Sequence, residues 1–147
     1  MDWDTYLTEM CRLVAKKSKD ESTKVGCVIV GPNHEIRSTG YNGFVRGADD
    51  EKKEWRARPK KYKVTAHAEL NAVANAARIG TPLNGCTAYV SLPPCSGCAI
   101  ALAQSGIKEV RVLDYPEDWS SLTIWREEFE IAEEILAAAN VMLVHLS

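Results

Sequence analysis

The sequence predicts an α/β protein, a three-layer α/β/α sandwich built on a mixed five-stranded sheet. Three observations carry this expectation. Helix-period and strand-period segments follow one another in the order α-β-β-α-β-α-β-α-β. Only turn residues separate the first two strand segments, so they should pair as an antiparallel hairpin. A helix separates each later pair of strands, which calls for parallel neighbours joined by right-handed crossovers. The fourth and fifth strands should therefore be parallel, whereas a tight hairpin would make them antiparallel. The 147 residues fit one domain, 1–147, long enough to bury a core without disulfide staples.

The elements follow in chain order. Residues 3–17 place Trp3, Leu7, Met10, Leu13 and Val14 at helical spacing, with Asp2 as the candidate N-cap. VGCVIVG (25–31) reads as a buried strand, GPNHE as turn material, and IRSTGY (36–41) as the returning strand. Residues 42–63 show no clear period, and a loop of that length is usually functional or disordered. Residues 66–79 read as a helix stopped by Gly80. CTAYVSL (86–92) is the third strand, ended by Pro93-Pro94. A helix over about 96–105 stops at Gly106, and EVRVL (109–113) is the fourth strand. A helix near 121–139 carries Trp125, Phe129, Ala132, Leu136 and Ala139 on one face, and VMLVHL (141–146) closes the sheet. No internal repeat, low-complexity tract or linker interrupts this order.

Composition narrows the function classes. Hydrophobic residues make up 46% and charged residues 26%, the balance of an ordinary soluble globular protein. A net charge of −2 argues against a general nucleic-acid binder. The acidic, amphipathic N-terminus lacks the basic start and apolar run of a signal peptide. No uninterrupted apolar stretch is long enough to span a bilayer. The five cysteines, Cys11, Cys27, Cys86, Cys95 and Cys98, are odd in number and irregular in spacing, unlike a disulfide framework. A reduced, cytoplasmic protein is expected.

The chemistry-bearing residues are His67, Glu69, Cys95 and Cys98. Zinc prefers thiolate and imidazole ligands in tetrahedral geometry. Cys95 and Cys98 form a C-x-x-C pair where a strand ends and a helix begins, and the positive helix end favours thiolates. His67 opens the preceding helix, and two helix N-termini can converge beyond one sheet edge. A purely structural site would need a fourth protein ligand. Cys11, Cys27 and Cys86 read better as small buried hydrophobes. His34 falls in a turn, and His145 in the last strand. Three ligands with an open position is the catalytic pattern. Glu69 alone would read as a glutamate favoured by the helix dipole. Two residues after His67, it stands where a general base for the attacking water belongs.

HAE…PCSGC matches the established zinc-deaminase signature H-x-E…P-C-x-x-C in order and type. On these residues the chain resembles the cytidine deaminase superfamily, and within it the deoxycytidylate (dCMP) deaminases. The likeness extends through SKDESTKVG (18–26), STGYNGF (38–44) with Arg46-Gly47, PPCSGCA (93–99) and QSGIKEV (104–110), covering residues 1 to about 113. It implies a cytidine deaminase-like fold and zinc held by His67, Cys95 and Cys98, with Glu69 as proton shuttle. It implies conversion of dCMP to dUMP and ammonia. Asn42 would line the substrate pocket. Arg46, with Ser22 and Lys24 as further candidates, would face the 5′-phosphate. Tyr115 would pack on the base, and the Ala66 carbonyl would accept from the exocyclic amine. A homo-oligomer, hexamer or dimer, is implied, with dCTP and dTTP as allosteric effectors.

Substrate choice rests on thinner ground. Residues 46–63 hold eight Lys or Arg against four acids, and residues 114–134 hold eight acids against Arg126. A basic loop near the site suits an anionic nucleotide, while a solvated surface loop explains the same charges. Many members of the resembling family have proline where Val45 stands, which bears on how the loop presents Arg46. The 116–129 segment is longer and more aromatic than the resemblance implies, and Trp119 and Trp125 read first as packing residues. Two alternatives therefore stand beside dCMP deamination. One is deamination of another nucleotide, a nucleoside or a base. The other is a zinc-stabilised binding module without turnover.

Overall fold

Asp2 starts the first helix as its position predicts. Its carboxylate accepts the Thr5 N–H at 2.7 Å, and α1 runs Trp3–Ala15. The structure, a computed structural model, describes residues 1–116 and 123–146. After α1 come β1 (Gly26–Val30), β2 (Ile36–Tyr41), α2 (Lys53–Arg56), α3 (Lys60–Val64), α4 (Ala68–Ile79), β3 (Thr87–Val90), α5 (Ser96–Gln104), β4 (Glu109–Val112), α6 (Thr123–Ala138) and β5 (Met142–His145).

The five strands form one sheet in the order β2-β1-β3-β4-β5. β1 pairs antiparallel with both β2 and β3, while β3–β4 and β4–β5 are parallel. The parallel relation expected for the fourth and fifth strands is present, because α6 returns the chain across the sheet. Alternation along β1 sends Cys27 and Ile29 to one face and Val28 and Val30 to the other. Val28 and Val30 pack with Leu7 and Cys11 of α1, and with Tyr89 and Leu113. The larger core lies opposite, where β1, β3 and β4 meet alanines and leucines of α4, α5 and α6. Helices therefore cover both faces, as the strand patterns require.

The stretch 42–63, which shows no period in sequence, contains the short helices α2 and α3. Neither is long enough to impose a visible 3.6-residue pattern. A bridge pins the ends of this excursion: Gly43 donates to the Ala66 carbonyl at 3.0 Å, and Ala66 donates back at 2.7 Å. The helix expected from 66 begins at Ala68, because His67 is extended at φ −74°, ψ 157°. Residues 117–122, Trp119 among them, lie outside the described residues. Of the unusual 116–129 segment, the described part is Pro116 and the start of α6.

α4 lies close against β2. Ala68, Ala72 and Ala76 recur every four residues and are buried, so that stripe carries no side chain beyond Cβ. Gly40 of β2 faces it, and a Cβ there would drive into the Ala68 carbonyl oxygen and the Ala72 amide nitrogen. Both obstacles are backbone and cannot rotate away. Gly40→Ala is expected to destabilise the protein by about 1–3 kcal/mol, read as a lower denaturant midpoint at unchanged m-value. An unshifted midpoint would show that the contact between α4 and β2 is looser than described.

Candidate metal centre and active site

Antiparallel pairing of β1 with β3 brings the approach to β1 beside the exit from β3. Ser91 donates its N–H to the Gly26 carbonyl at 3.0 Å, and its hydroxyl accepts the Gly26 N–H at 2.9 Å. Asp20, Ser22, Thr23 and Val25, the exit of β2 at Asn42, the exit of β3 at 92–95 and the start of α4 thus border one cavity of about 280 Å³. Pockets beyond the carboxyl ends of strands are the usual binding places of α/β sheets.

His67 and Cys95 each occupy the N-cap position of a helix, α4 and α5, yet neither side chain caps its helix. Both are turned toward each other instead. His67 Nδ1 lies 3.3 Å from Cys95 Sγ and 3.5 Å from Cys98 Sγ. The three donor atoms all fall within 4.8 Å of one another. Zinc–nitrogen and zinc–sulfur bonds of about 2.0–2.1 and 2.3 Å at tetrahedral angles separate such donors by roughly 3.5 Å. The triad therefore fits zinc in spacing and in donor chemistry. Among the described residues no further His, Cys, Asp or Glu joins this cluster.

Electrostatics within the triad point the same way. The Cys98 S–H donates toward Cys95 and, against the effect of burial and with His67 adjacent, brings the Cys95 thiol down to about 4. That contact, with burial, holds the Cys98 thiol well above its ordinary value. The bond to Cys95 raises His67, against burial. A divalent cation replaces the protons these groups share. Glu69, in the first turn of α4, is 4% exposed. Burial, opposed by its own backbone N–H and by His67, pushes its carboxyl up to about 7.

The cavity has an apolar side made by Leu92, Pro93, Pro94, Trp125 and Phe129. Trp125 lies edge-on to His67 with ring centroids 6.1 Å apart, and it meets Tyr62 of α3 at 5.6 Å. α6 is held there by Glu128, which accepts the Ser96 hydroxyl at 3.0 Å at the head of α5. The polar side includes Asp20, Ser22, Thr23, Asn42, Arg58 and Lys61. Asn42 is 6% exposed and ties this wall together. Its side-chain oxygen accepts the Val25 N–H at 2.8 Å, its amide donates to the Thr23 carbonyl at 2.9 Å, and its own carbonyl accepts the Ser18 hydroxyl at 2.9 Å.

Of the sequence-expected residues, the structure brings His67, Glu69, Cys95, Asn42 and Ser22 to the cavity, with Cys98 behind Cys95 in the triad. Four expected substrate contacts are not among its lining residues, and each has another engagement. Arg46 hydrogen-bonds the Asn75 side chain on α4. Lys24 donates to the Ser18 carbonyl and borders a separate basic hollow. Tyr115 stacks on His145 at 3.8 Å and packs against Phe129, with its hydroxyl buried and unpartnered among the described residues. The Ala66 carbonyl accepts from Gly43 and, at 3.4 Å, from the Asn71 side chain. Sequence reasoning missed Arg58, Lys61 and Tyr62 individually. The charge run 46–63 marked their neighbourhood without singling out any one side chain.

Residues 1–114 match the sequence model of the cytidine and deoxycytidylate deaminase zinc-binding region. A deoxycytidylate deaminase of Pongo abelii is 38% identical over 138 residues, covering 90% of this chain and 76% of that protein. The deoxycytidylate deaminase of Homo sapiens is 39% identical over 115 residues, covering 75% of this chain and 64% of that one. Among solved structures, the dCMP deaminase of cyanophage S-TIM5 in complex with dCMP and dUMP shares the fold, with a TM-score of 0.77 at 22% identity. That likeness covers 97% of this chain and 96% of the phage chain.

The raised Glu69 pKa makes the metal-free protein pH-sensitive. The unfolded carboxyl titrates at 4.5 and the folded one near 7. Stability gained by holding the proton is fully present below pH 4.5 and is lost as pH rises through 7. In chelator-treated protein, Glu69→Gln should flatten the fall in denaturant midpoint between about pH 5 and about pH 8. Parallel midpoint curves for wild type and variant would contradict this.

Proposed function

The chain belongs to the cytidine and deoxycytidylate deaminase family, and from that premise we propose that it catalyses hydrolytic deamination of dCMP to dUMP and ammonia. The observation that carries the reading is a buried carboxylate, Glu69, sharing one cavity with the His67–Cys95–Cys98 triad. The deoxycytidylate deaminases that match it over most of its length support the choice of dCMP.

His67, Cys95 and Cys98 would hold zinc, which would supply the Lewis acidity that lets water react near neutral pH. The chain's own residues do the rest. Glu69 takes a proton from the attacking water and delivers it to N3 of the cytosine ring. Addition at C4 gives a tetrahedral intermediate. Glu69 then assists protonation of the amine at C4, which leaves as ammonia while the carbonyl forms. Its enclosure beside the triad suits a group that must both accept and return a proton without exchange with bulk water. Trp125, Phe129 and Leu92 give the ring an apolar surface and limit the water around it.

Other features extend the proposal. The five cysteines are all free, which suits a reducing interior and a cytoplasmic setting. Among the described residues no helix is long and apolar enough to cross a membrane. Leu70 on α4 and Ile100 on α5 are exposed, and these two helices adjoin, which supports assembly with further copies of the chain. The hollow lined by Lys16, Lys17, Lys24 and Arg56 is the place we assign to a triphosphate effector such as dCTP or dTTP.

Ammonia release from dCMP by zinc-loaded protein tests the reading. Glu69→Gln should lower kcat by about 10²–10⁴-fold while retaining bound zinc, and Cys95→Ser should lose the metal. Turnover of deoxycytidine but not dCMP would move the substrate to a nucleoside. A stoichiometric zinc content with no turnover of either would favour a binding module.

A further inference from the structure

We propose that Arg58, with the Ser22 hydroxyl, holds the 5′-phosphate of the substrate and sets the preference for a nucleotide over a nucleoside. The inference rests on the dCMP reading above and assigns to Arg58 the role that the sequence suggested for Arg46.

A phosphate monoester needs a cation whose charge is not already neutralised, together with hydrogen-bond donors. Two cations line the cavity, Arg58 and Lys61. The Lys61 ammonium lies 2.9 Å from Asp20, and these side chains are only 14% and 10% exposed. That pair is closed upon itself. Asp20 also accepts the backbone N–H groups of Ser22 and Thr23 at 2.8 and 3.0 Å, so its work is to shape the wall. Arg58 differs. Among the described residues it has no carboxylate partner. Its guanidinium lies 5.8 Å from the Tyr62 ring centroid, and it reaches the Ser22 hydroxyl at 3.4 Å. It thus brings an uncompensated charge and a planar set of donors to the cavity, already oriented by an aromatic face. Ser22 adds a hydroxyl donor beside it.

Arg46 offers no such arrangement, since its guanidinium is engaged by Asn75 of α4 and is not among the cavity-lining residues. Tyr62 links this phosphate end to the ring end, because the aromatic ring that Arg58 overlies also meets Trp125 beside His67. The phosphate grip and the apolar face for the ring are therefore parts of one contact chain.

The test compares kcat and KM for dCMP and deoxycytidine in wild type, Arg58→Ala, Arg58→Lys and Arg46→Ala. It is paired with calorimetric binding of dUMP and deoxyuridine to the same zinc-loaded proteins. Arg58→Ala should raise KM for dCMP and weaken dUMP binding by about 10–100-fold, the usual weight of a hydrogen bond to a charged group. Its kcat and its handling of deoxycytidine and deoxyuridine should stay within about 3-fold of wild type, near the error of such differences. Arg58→Lys should recover part of the loss, and Arg46→Ala should change little. If wild type turns over dCMP and Arg58→Ala leaves KM unchanged, or weakens nucleotide and nucleoside alike, the assignment to Arg58 is overturned alone. A loss concentrated in Arg46→Ala would overturn it in favour of the other arginine. If wild type neither deaminates dCMP nor binds dUMP, the substrate reading falls and this inference falls with it.

Discussion

Burying a carboxylate beside two thiols is unfavourable unless positive charge joins them, and much of this molecule is arranged around that requirement. Glu69 is almost wholly enclosed, and Cys95 and Cys98 contend for protons within reach of His67. The backbone prepares the place for a cation. Two helices begin there, and their N-terminal peptide dipoles favour anionic ligands before any metal is considered. His67 and Cys95 stand at the N-cap positions, where a serine or aspartate would ordinarily turn inward to satisfy the helix. Their side chains are thereby left to the site. Local helix stability is given up where the chemistry needs ligands.

Sheet topology makes that convergence possible. With β1 running against β3, the chain entering one strand lies beside the chain leaving the other. With β3 and β4 parallel, α5 must cross the face that also receives α4. The alanine stripe of α4 against Gly40 then sets how near the first of those helices comes to the sheet. The position of His67 is thus fixed by backbone packing at Ala68 and Ala72, within the first turns of the helix it opens.

Much of this was legible in the sequence, and the exceptions have physical causes. His67, Glu69, Cys95 and Cys98 could be read because their relations are local, set by helix starts and a C-x-x-C spacing. The parallel fourth and fifth strands followed from the intervening helix. The substrate wall was less legible. A run of lysines and arginines reveals a field but not where each side chain points, and the segment has no period from which to infer a face. Arg46 and Arg58 look alike in sequence, yet one turns to Asn75 and the other to Ser22. Tyr115 follows a strand as expected, but the neighbouring β5 offers His145 as a stacking partner, and the ring takes it. Trp125 could be placed on an apolar helical face, while its meeting with His67 depends on how α6 docks against α5.

The Asn42 amide gives the short stretch from Ser18 to Val25 the character of a party wall. On one side Asp20, Ser22 and Thr23 face the reaction cavity; on the other Lys19, Glu21 and Lys24 border the basic hollow. The wall is a single thickness of chain, anchored to Asn42 at Ser18, Thr23 and Val25. Further ties run from it to Asp50 through Lys19 and to α3 through Asp20. One short run of backbone therefore sets the shape of two rooms at once, and a substitution that shifts it alters both.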